Sequence, residues 1–211
     1  MTHTNHRSGT VASLEHDFVV FIYGSKGVNL QGIVPKVQKF LELSMKHNPV
    51  NYGALRVNNM FNMSYDDLYK GLEKENKVYA VFDNKEAAAA FIKEVKEADF
   101  GISIIVSGLI DEVKKISKAN GITPHTAQCS LGVWGKTELL PEPAILDITT
   151  MCGHAMVSFN LVRRMAEEVK HGRITLKDAG AKLAKPCRCG VFNPKRAEEI
   201  LKDYIATSGA K

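Results

Sequence analysis

The sequence of 211 residues lacks any apolar run long enough to cross a membrane, which takes about 18 residues or more. Its longest apolar runs, such as Phe18 to Tyr23, have the length of a strand. The polar N-terminus has no apolar secretion signal, so we expect residues 1–17 to form a mobile leader. These absences predict a cytoplasmic protein with no membrane partner.

Cysteine is scarce, with four residues in the chain, and three of these lie after position 150. So few cysteines without an export signal exclude a disulfide miniprotein and indicate a reducing compartment. In such a compartment, closely spaced cysteines indicate metal binding or thiol reactivity before disulfides.

Phosphate-binding signatures are also missing. The segment Gly24-Ser25-Lys26-Gly27 stands between a predicted strand and a predicted helix, but it has neither the Walker spacing nor the dinucleotide pattern. A tight turn is the better interpretation of this loop.

The positive charge is distributed unevenly along the chain. The net formal charge is +5, yet residues 1–150 carry 16 Lys and Arg against 17 Asp and Glu. Residues 151–211 carry 12 against 6. This surplus is small for a dedicated nucleic-acid binder and is dispersed over three predicted helices, so we do not expect nucleic acid as a partner.

Hydrophobic periodicity predicts an α/β fold. Strands are expected at Phe18 to Tyr23, Val78 to Phe82 and Ile102 to Val106, with a less distinct one at Ala127 to Trp134 and helices between them. This alternation predicts a small mixed sheet with flanking helices, ferredoxin-like or three-layer, over residues 18–140.

Pro141-Glu142-Pro143 predicts a hinge, after which the composition changes. Apolar residues at helical spacing predict helices beginning near Ala155, Thr175 and Asn193. Residues 144–211 are therefore expected to form a helical, cysteine-containing, metal-binding module.

Two cysteine motifs interrupt this module. Cys152-Gly153-His154 precedes its first helix, and Cys187-Arg188-Cys189-Gly190 separates its last two helices. If the helices pack on their apolar faces, both breaks can come to one end of the bundle. We therefore predict a metal site formed by Cys152, Cys187 and Cys189, with His154 as a possible fourth ligand.

The spacing favours an iron–sulfur cluster, in which an accessible iron could act on a substrate. Structural zinc usually takes ligand pairs separated by two or more residues, and each pair here has one intervening residue. A structural zinc module that serves a partner or nucleic acid is the alternative, and buried cysteines without metal are a further one.

Cations near the second motif indicate a small anionic substrate. Lys195 and Arg196 lie in the first turn of the last predicted helix, where the helix dipole disfavours positive charge, and Arg188 lies between two cysteines. With an iron–sulfur cluster this pattern would suit a lyase or an oxidoreductase.

A thiol-dependent enzyme is a separate alternative. Cys152 at a helix start could be a nucleophile, with His154 or His125 as its base. The remaining cysteine, Cys129, falls in the predicted strand Ala127 to Trp134, where we expect it to be part of the core.

Overall fold

The protein, described here from a computed structural model over residues 6–208, has a four-stranded sheet with helices on both faces. The strands are β1 (Phe18–Tyr23), β2 (Asn51–Gly53), β3 (Lys77–Phe82) and β4 (Ile104–Ser107). The α-helices are α1 (Val11–Leu14), α2 (Ile33–Met45), α3 (Tyr65–Gly71), α4 (Lys85–Glu97), α5 (Ile110–Ala119), α6 (Pro143–Thr149), α7 (Phe159–Lys170), α8 (Leu176–Ala184) and α9 (Pro194–Ser208). Short 3₁₀ turns cover Leu72–Lys74 and Thr137–Leu139.

The sheet has the strand order β2-β3-β1-β4, and every neighbouring pair is antiparallel. The expectation of a mixed sheet is therefore wrong. The strand–helix–strand unit β1–α2–β2 does bring two strands into the same direction, but β3 is inserted between them. Each strand consequently has only antiparallel neighbours.

The two faces of the sheet are covered by different parts of the chain. Alternate residues of β1 separate cleanly, with Val20 and Ile22 packed under α2 and α4 and with Val19 and Phe21 packed under α6 to α9. The buried cysteines belong to the second of these clusters. The C-terminal helices thus share their core with the sheet.

The predicted strand Ala127 to Trp134 is not formed. Residues 123–140 are all exposed, and no residue among them is assigned to a strand. Alternation of apolar residues predicts a strand only where a neighbouring strand is available to bond it, and this segment does not join the sheet. Cys129, expected in the core, is exposed.

The predicted hinge is followed directly by a helix. Pro143 occupies the start of α6, a position that needs no backbone N–H donor, and the apolar run after it forms the helix. The next helix begins at Phe159 rather than near Ala155, because the Ser158 hydroxyl caps it by accepting from the Leu161 amide at 3.2 Å.

The segment predicted to be a mobile leader is described from residue 6 onwards. There Arg7 donates to the buried carboxylate of Asp17 and to the carbonyl oxygens of Met151 and Val191. This part of the segment therefore packs on the body of the protein. No helix of residues 6–208 has both the length and the apolarity needed to span a bilayer.

Candidate functional site

Three thiols and one imidazole lie side by side in the two turns that follow α6 and α8. The Sγ atoms of Cys187 and Cys189 are 3.8 Å apart, and the Sγ of Cys189 is 3.8 Å from Nδ1 of His154. Cys152 is hydrogen-bonded to Cys187 on the other side. The fold thus brings together all four residues that the sequence suggested as metal ligands.

Two tight turns present these side chains. The chain turns after α6, where the amide of Cys152 donates to the Thr149 carbonyl at 3.1 Å and the amide of Ala155 donates to the Cys152 carbonyl at 3.0 Å. After α8, the amide of Gly190 donates to the Cys187 carbonyl at 2.9 Å. Each cysteine motif is therefore held by its own backbone.

Gly190 allows the second turn to pack against the sheet. Its φ is 77°, and a Cβ atom at this position would lie 2.5 Å from the carbonyl carbon of Tyr52 and 2.6 Å from the amide nitrogen of Gly53. Both atoms belong to the backbone of β2 and cannot easily move aside. Only glycine fits this position, both for its left-handed backbone and for its space.

Backbone amides surround the sulfurs. Cys152 is hydrogen-bonded by the backbone of Met156 and His154, Cys187 by that of Phe192, and Cys189 by that of Val191. Each of these bonds lowers the pKa of its thiol, because an N–H donor stabilises a thiolate. Donors of this kind are the outer interactions that orient and stabilise cysteine ligands.

The three thiols differ in acidity. The hydrogen bond with Cys187 and then burial raise the pKa of Cys152 far above its usual range. The bond with Cys152 lowers the pKa of Cys187, but the bond with Cys189 and burial outweigh it and raise that pKa to about 12. The bond with Cys187 lowers the pKa of Cys189 despite burial.

This order disfavours Cys152 as the nucleophile of a thiol enzyme. A nucleophilic cysteine needs a stabilised thiolate, whereas the hydrogen bond with Cys187 and then burial raise the pKa of Cys152. The alternative base His125 lies in the exposed segment 123–140.

Asparagine side chains that no sequence motif indicated support the second cysteine motif. The buried amide of Asn59 donates to the carbonyls of Ala184, Lys185 and Cys187 at 3.1, 3.2 and 2.9 Å. It is thereby a second donor to each of these carbonyls, which also accept from the Cys187 amide, the Asn62 side chain and the Gly190 amide respectively. Asn51 donates in the same way to the carbonyl of Phe192, at 2.8 Å.

The stretch between Asn48 and Asn62 is rich in asparagine and contains little regular structure. This composition was the signal in the sequence for the supporting role of these side chains. Such a segment looks irregular when it is judged by propensity alone. The residues that its side chains contact lie more than 100 positions away in the sequence. Its supporting role therefore cannot be predicted without the structure.

Tyr79 adds to the polar surroundings of the thiols from the sheet side. Its ring is buried and packs against Phe21, with ring centroids 5.0 Å apart. Burial is the main cause that raises the pKa of its hydroxyl well above the usual range. The negative charges that Cys189, Glu75 and Cys187 would carry raise this pKa further. The hydroxyl therefore stays protonated.

The three predicted anion-binding cations lie in different surroundings. Arg188 is exposed and donates to the Val57 carbonyl at 3.2 Å. Lys195 is exposed and pairs with Glu198 at 3.1 Å. Arg196 has no solvent exposure and pairs with Asp17 at 3.0 Å. The structure therefore does not bring these three cations together around the thiols.

Arg196 belongs instead to a buried ionic network. It also donates to the hydroxyl of Ser13 at 2.9 Å, and Asp17 receives Arg7 as a second guanidinium partner. Asn193, which precedes α9, donates its amide to Asp17 at 3.2 Å. Asp17 is thus the partner that Arg196, the cation at the start of α9, requires. No pattern in the sequence indicated this role of Asp17.

The four predicted ligands contact one another in a line, from Cys152 through Cys187 and Cys189 to His154. Among the residues that the structure describes, no group of three or more His, Cys, Asp or Glu side chains already surrounds a common centre as a metal-binding group. The chain matches no protein-family model, no curated protein and no solved structure.

Proposed function

We propose that this chain is a metal-binding protein in which Cys152, Cys187, Cys189 and His154 hold one ion, and that zinc is the ion their geometry fits best. The separation of 3.8 Å between the sulfurs of Cys187 and Cys189 carries this proposal. The contact of 3.8 Å between Cys189 and His154 extends it to the nitrogen ligand.

The bond lengths of zinc determine how far apart its ligand atoms lie. Zinc–sulfur bonds of about 2.3 Å and tetrahedral angles place two sulfurs about 3.8 Å apart, and a sulfur and an imidazole nitrogen about 3.6 Å apart. The Cys187–Cys189 pair has the first of these separations, and the Cys189–His154 pair is within a few tenths of an ångström of the second. The ligand side chains, which now contact one another in a line, would have to rotate to surround one ion as a tetrahedron. The side chain of His154 lies in an exposed turn.

The charge balance also supports this proposal. Three thiolates in contact repel one another and are costly to bury, as the raised pKa values of Cys152 and Cys187 express. A divalent cation removes this cost, and the amides that donate to each sulfur are already in place.

A site of this kind is structural in character. The three cysteines are buried in the core that α6 to α9 share with the sheet, and four protein ligands leave no position open for a substrate. The ion would join the turn after α6 to the turn after α8 and would thereby stabilise the packing of these helices on the sheet.

An iron–sulfur protein acting on a small anionic substrate is the second candidate. The exposure of His154 and Arg188, each of which lies within one of the cysteine motifs, favours it, because both are accessible to a small anion. In a four-iron cluster each cysteine binds a different iron, so the ligand sulfurs lie farther apart than around one ion. The sulfurs of Cys187 and Cys189 would have to separate to accept one.

The buried free thiols suit a reducing compartment, and we propose the cytoplasm on this ground. We also propose a ferredoxin-like architecture for the sheet, since the units β1–α2–β2 and β3–α4–β4 and the strand order β2-β3-β1-β4 fit it, with α3 inserted between β2 and β3. The C-terminal cysteine-containing helices would form the added layer on its second face. The scattered positions of Lys195, Arg188 and Arg196 do not favour a nucleic-acid surface.

The deciding experiment is anaerobic purification of the full chain, followed by metal analysis and visible absorption. We expect one zinc per chain and a colourless protein, and cobalt(II) in its place should give the visible bands of tetrahedral thiolate coordination. A brown protein that contains iron and sulfide would support the second candidate instead. A folded protein that binds no metal would contradict both.

Single substitutions test the ligand set. Cys152→Ser, Cys187→Ser and Cys189→Ser should each remove most of the bound metal, and His154→Ala should weaken its retention against a chelator. Cys129→Ser is the matched control, because this thiol is exposed whereas the three candidate cysteine ligands are buried. Equal loss of metal from Cys129→Ser would contradict the assignment.

A further inference from the structure

Arg7 bridges the two turns that carry the candidate ligands. Its Nη2 donates to the carbonyl oxygen of Met151, at 3.2 Å, and to that of Val191. Met151 directly precedes Cys152 in the turn after α6, and Val191 lies two residues after Cys189 in the connection between α8 and α9. A single guanidinium group therefore joins two cysteine motifs that are distant in the sequence.

The carbonyl of Val191 belongs to a peptide group that also supports a thiol. The amide of the same peptide group, that of Phe192, is hydrogen-bonded to Cys187. A cation bonded to a carbonyl polarises the peptide group and strengthens its N–H as a donor. Arg7 therefore acts on a donor to the sulfur of Cys187 as well as on the position of the backbone.

The carbonyl of Met151 fixes the other motif in a similar way. Its peptide group includes the amide of Cys152, which donates to the Thr149 carbonyl at 3.1 Å. Arg7 and Thr149 thus hold this peptide group at its two polar atoms, and the backbone at Cys152 cannot turn without breaking one of these bonds.

The guanidinium of Arg7 is itself held in place. Its side chain is only 6% exposed, and its Nη1 donates to the carboxylate of Asp17, which has no solvent exposure. This ion pair keeps Nη2 against the two carbonyls. A buried planar group with several fixed donors is a rigid bridge, because few of its rotamers remain accessible.

The charge of Arg7 suits a site that holds thiolates. The hydrogen bond with Cys187 is the main cause that lowers the pKa of Cys189, and the positive charge of Arg7 lowers it further, against the effect of burial. Three thiolates around one divalent ion carry a net negative charge, which a buried cation beside them offsets.

We propose that Arg7 is a positioning residue of the metal site, which fixes the two cysteine turns relative to each other and orients the donors to their sulfurs. This inference rests on the proposed function, because it adds to the same site a residue that is not a ligand. Groups that hold the ligands of a metal typically change its affinity by about 10–100-fold.

Chelator competition on the zinc-loaded full chain tests this proposal. Arg7→Met keeps an apolar side chain of similar length but removes the charge and every donor, and we expect the affinity for zinc to fall by about 10–100-fold. Arg7→Lys keeps the charge beside Asp17 but lacks the planar fork that reaches both carbonyls. It should therefore lose affinity as well, by a smaller factor.

Arg196→Met is the matched control. It removes the other guanidinium from Asp17, and the side-chain donors of Arg196 bond Ser13, Asp17 and the carbonyl of Ser8 rather than either cysteine turn. It should lower the free energy of unfolding about as much as Arg7→Met does, and yet leave the affinity for zinc close to that of the wild type. If either Met variant fails to fold, Arg7→Lys and Arg196→Lys provide the same comparison.

The cobalt(II)-loaded proteins give a second readout that stability alone does not change. The thiolate bands of Arg7→Met should shift from those of the wild type, whereas those of Arg196→Met should not. Wild-type zinc affinity in both Arg7 variants, or an equal loss in the Arg7 and Arg196 variants, would overturn this inference and leave the proposed function standing. A wild-type chain that binds no metal would overturn both.

Discussion

Asp17 and Arg196 form an ion pair of 3.0 Å in which neither side chain is exposed to solvent. The two residues are separated by most of the sequence, yet the pair fixes the entry to β1 against the start of α9. Arg7 is a second cation on the same carboxylate. Removal of this carboxylate would leave two neighbouring guanidinium groups without the counter-ion that both of them contact.

Asp17→Ala should therefore destabilise the fold strongly. Breaking a buried pair by removing one partner costs about 3–5 kcal/mol, since the remaining charge is left buried and unpaired. The free energy of unfolding in urea measures the effect. Glu198→Ala, which breaks the exposed pair with Lys195, should cost no more than about 1 kcal/mol. Similar losses in both variants would contradict a structural role for the buried network.

Substitution of Asn59 should weaken both the fold and metal retention. Asn59→Ala leaves three backbone carbonyls beside the cysteine motif without this donor. Each of these carbonyls keeps one other donor, from the Cys187 amide, the Asn62 side chain or the Gly190 amide, so the expected loss is that of buried hydrogen bonds, about 0.5–1.5 kcal/mol each.

Chemical denaturation and chelator competition together check this prediction. Asn62→Ala is the control, because Asn62 is exposed and its side-chain amide donates to one carbonyl of this turn, that of Lys185 at 2.7 Å, besides the Asn58 side chain at 3.0 Å. Its effect on metal retention should be clearly smaller. Unchanged metal retention in Asn59→Ala would show that the second cysteine motif does not depend on this amide.

Gly190→Ala should be much more damaging than an alanine at Gly172. Both glycines have positive φ, of 77° and 68°, so the backbone strain of the two substitutions is similar. A Cβ atom at Gly190 meets the backbone of β2, whereas one at Gly172 meets nothing within 4 Å. The difference in thermal midpoint between the two variants isolates the steric contact, and equal midpoints would contradict it.

Thiol labelling should divide the cysteines into one and three. Cys129 is exposed, and the other cysteines are buried. In the native protein at neutral pH, a maleimide should modify Cys129 rapidly, and mass spectrometry should detect a single adduct. All four should react in guanidinium chloride with a chelator present. Rapid native labelling of Cys129→Ser would contradict the burial of the candidate ligands.

Sequence patterns predicted what depends on local periodicity. The central strand at Phe18 to Tyr23 and the helices around Val37, Phe91 and Val162 follow from apolar spacing and are confirmed. The overall α/β class follows from the same alternation. The insertion of β3 between β1 and β2 cannot be read from spacing, because strand order depends on how distant segments pack together.

The candidate site was only partly accessible from the sequence. Two short cysteine motifs in breaks between helices indicated that Cys152 and Cys187 could meet, since equivalent ends of packed helices lie together. The roles of Asn59 and Asp17 could not be inferred in this way. Both act on atoms more than 100 residues away, and neither belongs to a motif.

The division of the core between the two faces of the sheet has a consequence for biosynthesis. Val19 and Phe21 are among the earliest core residues to be translated, but the helices that cover them begin at Pro143. On the ribosome, the first face can close under α2 and α4 while the other stays open until the last helix has emerged. At about 5–20 residues per second, translation from β4 to the end of α9 takes about 5–20 seconds, during which this apolar face is accessible to chaperones.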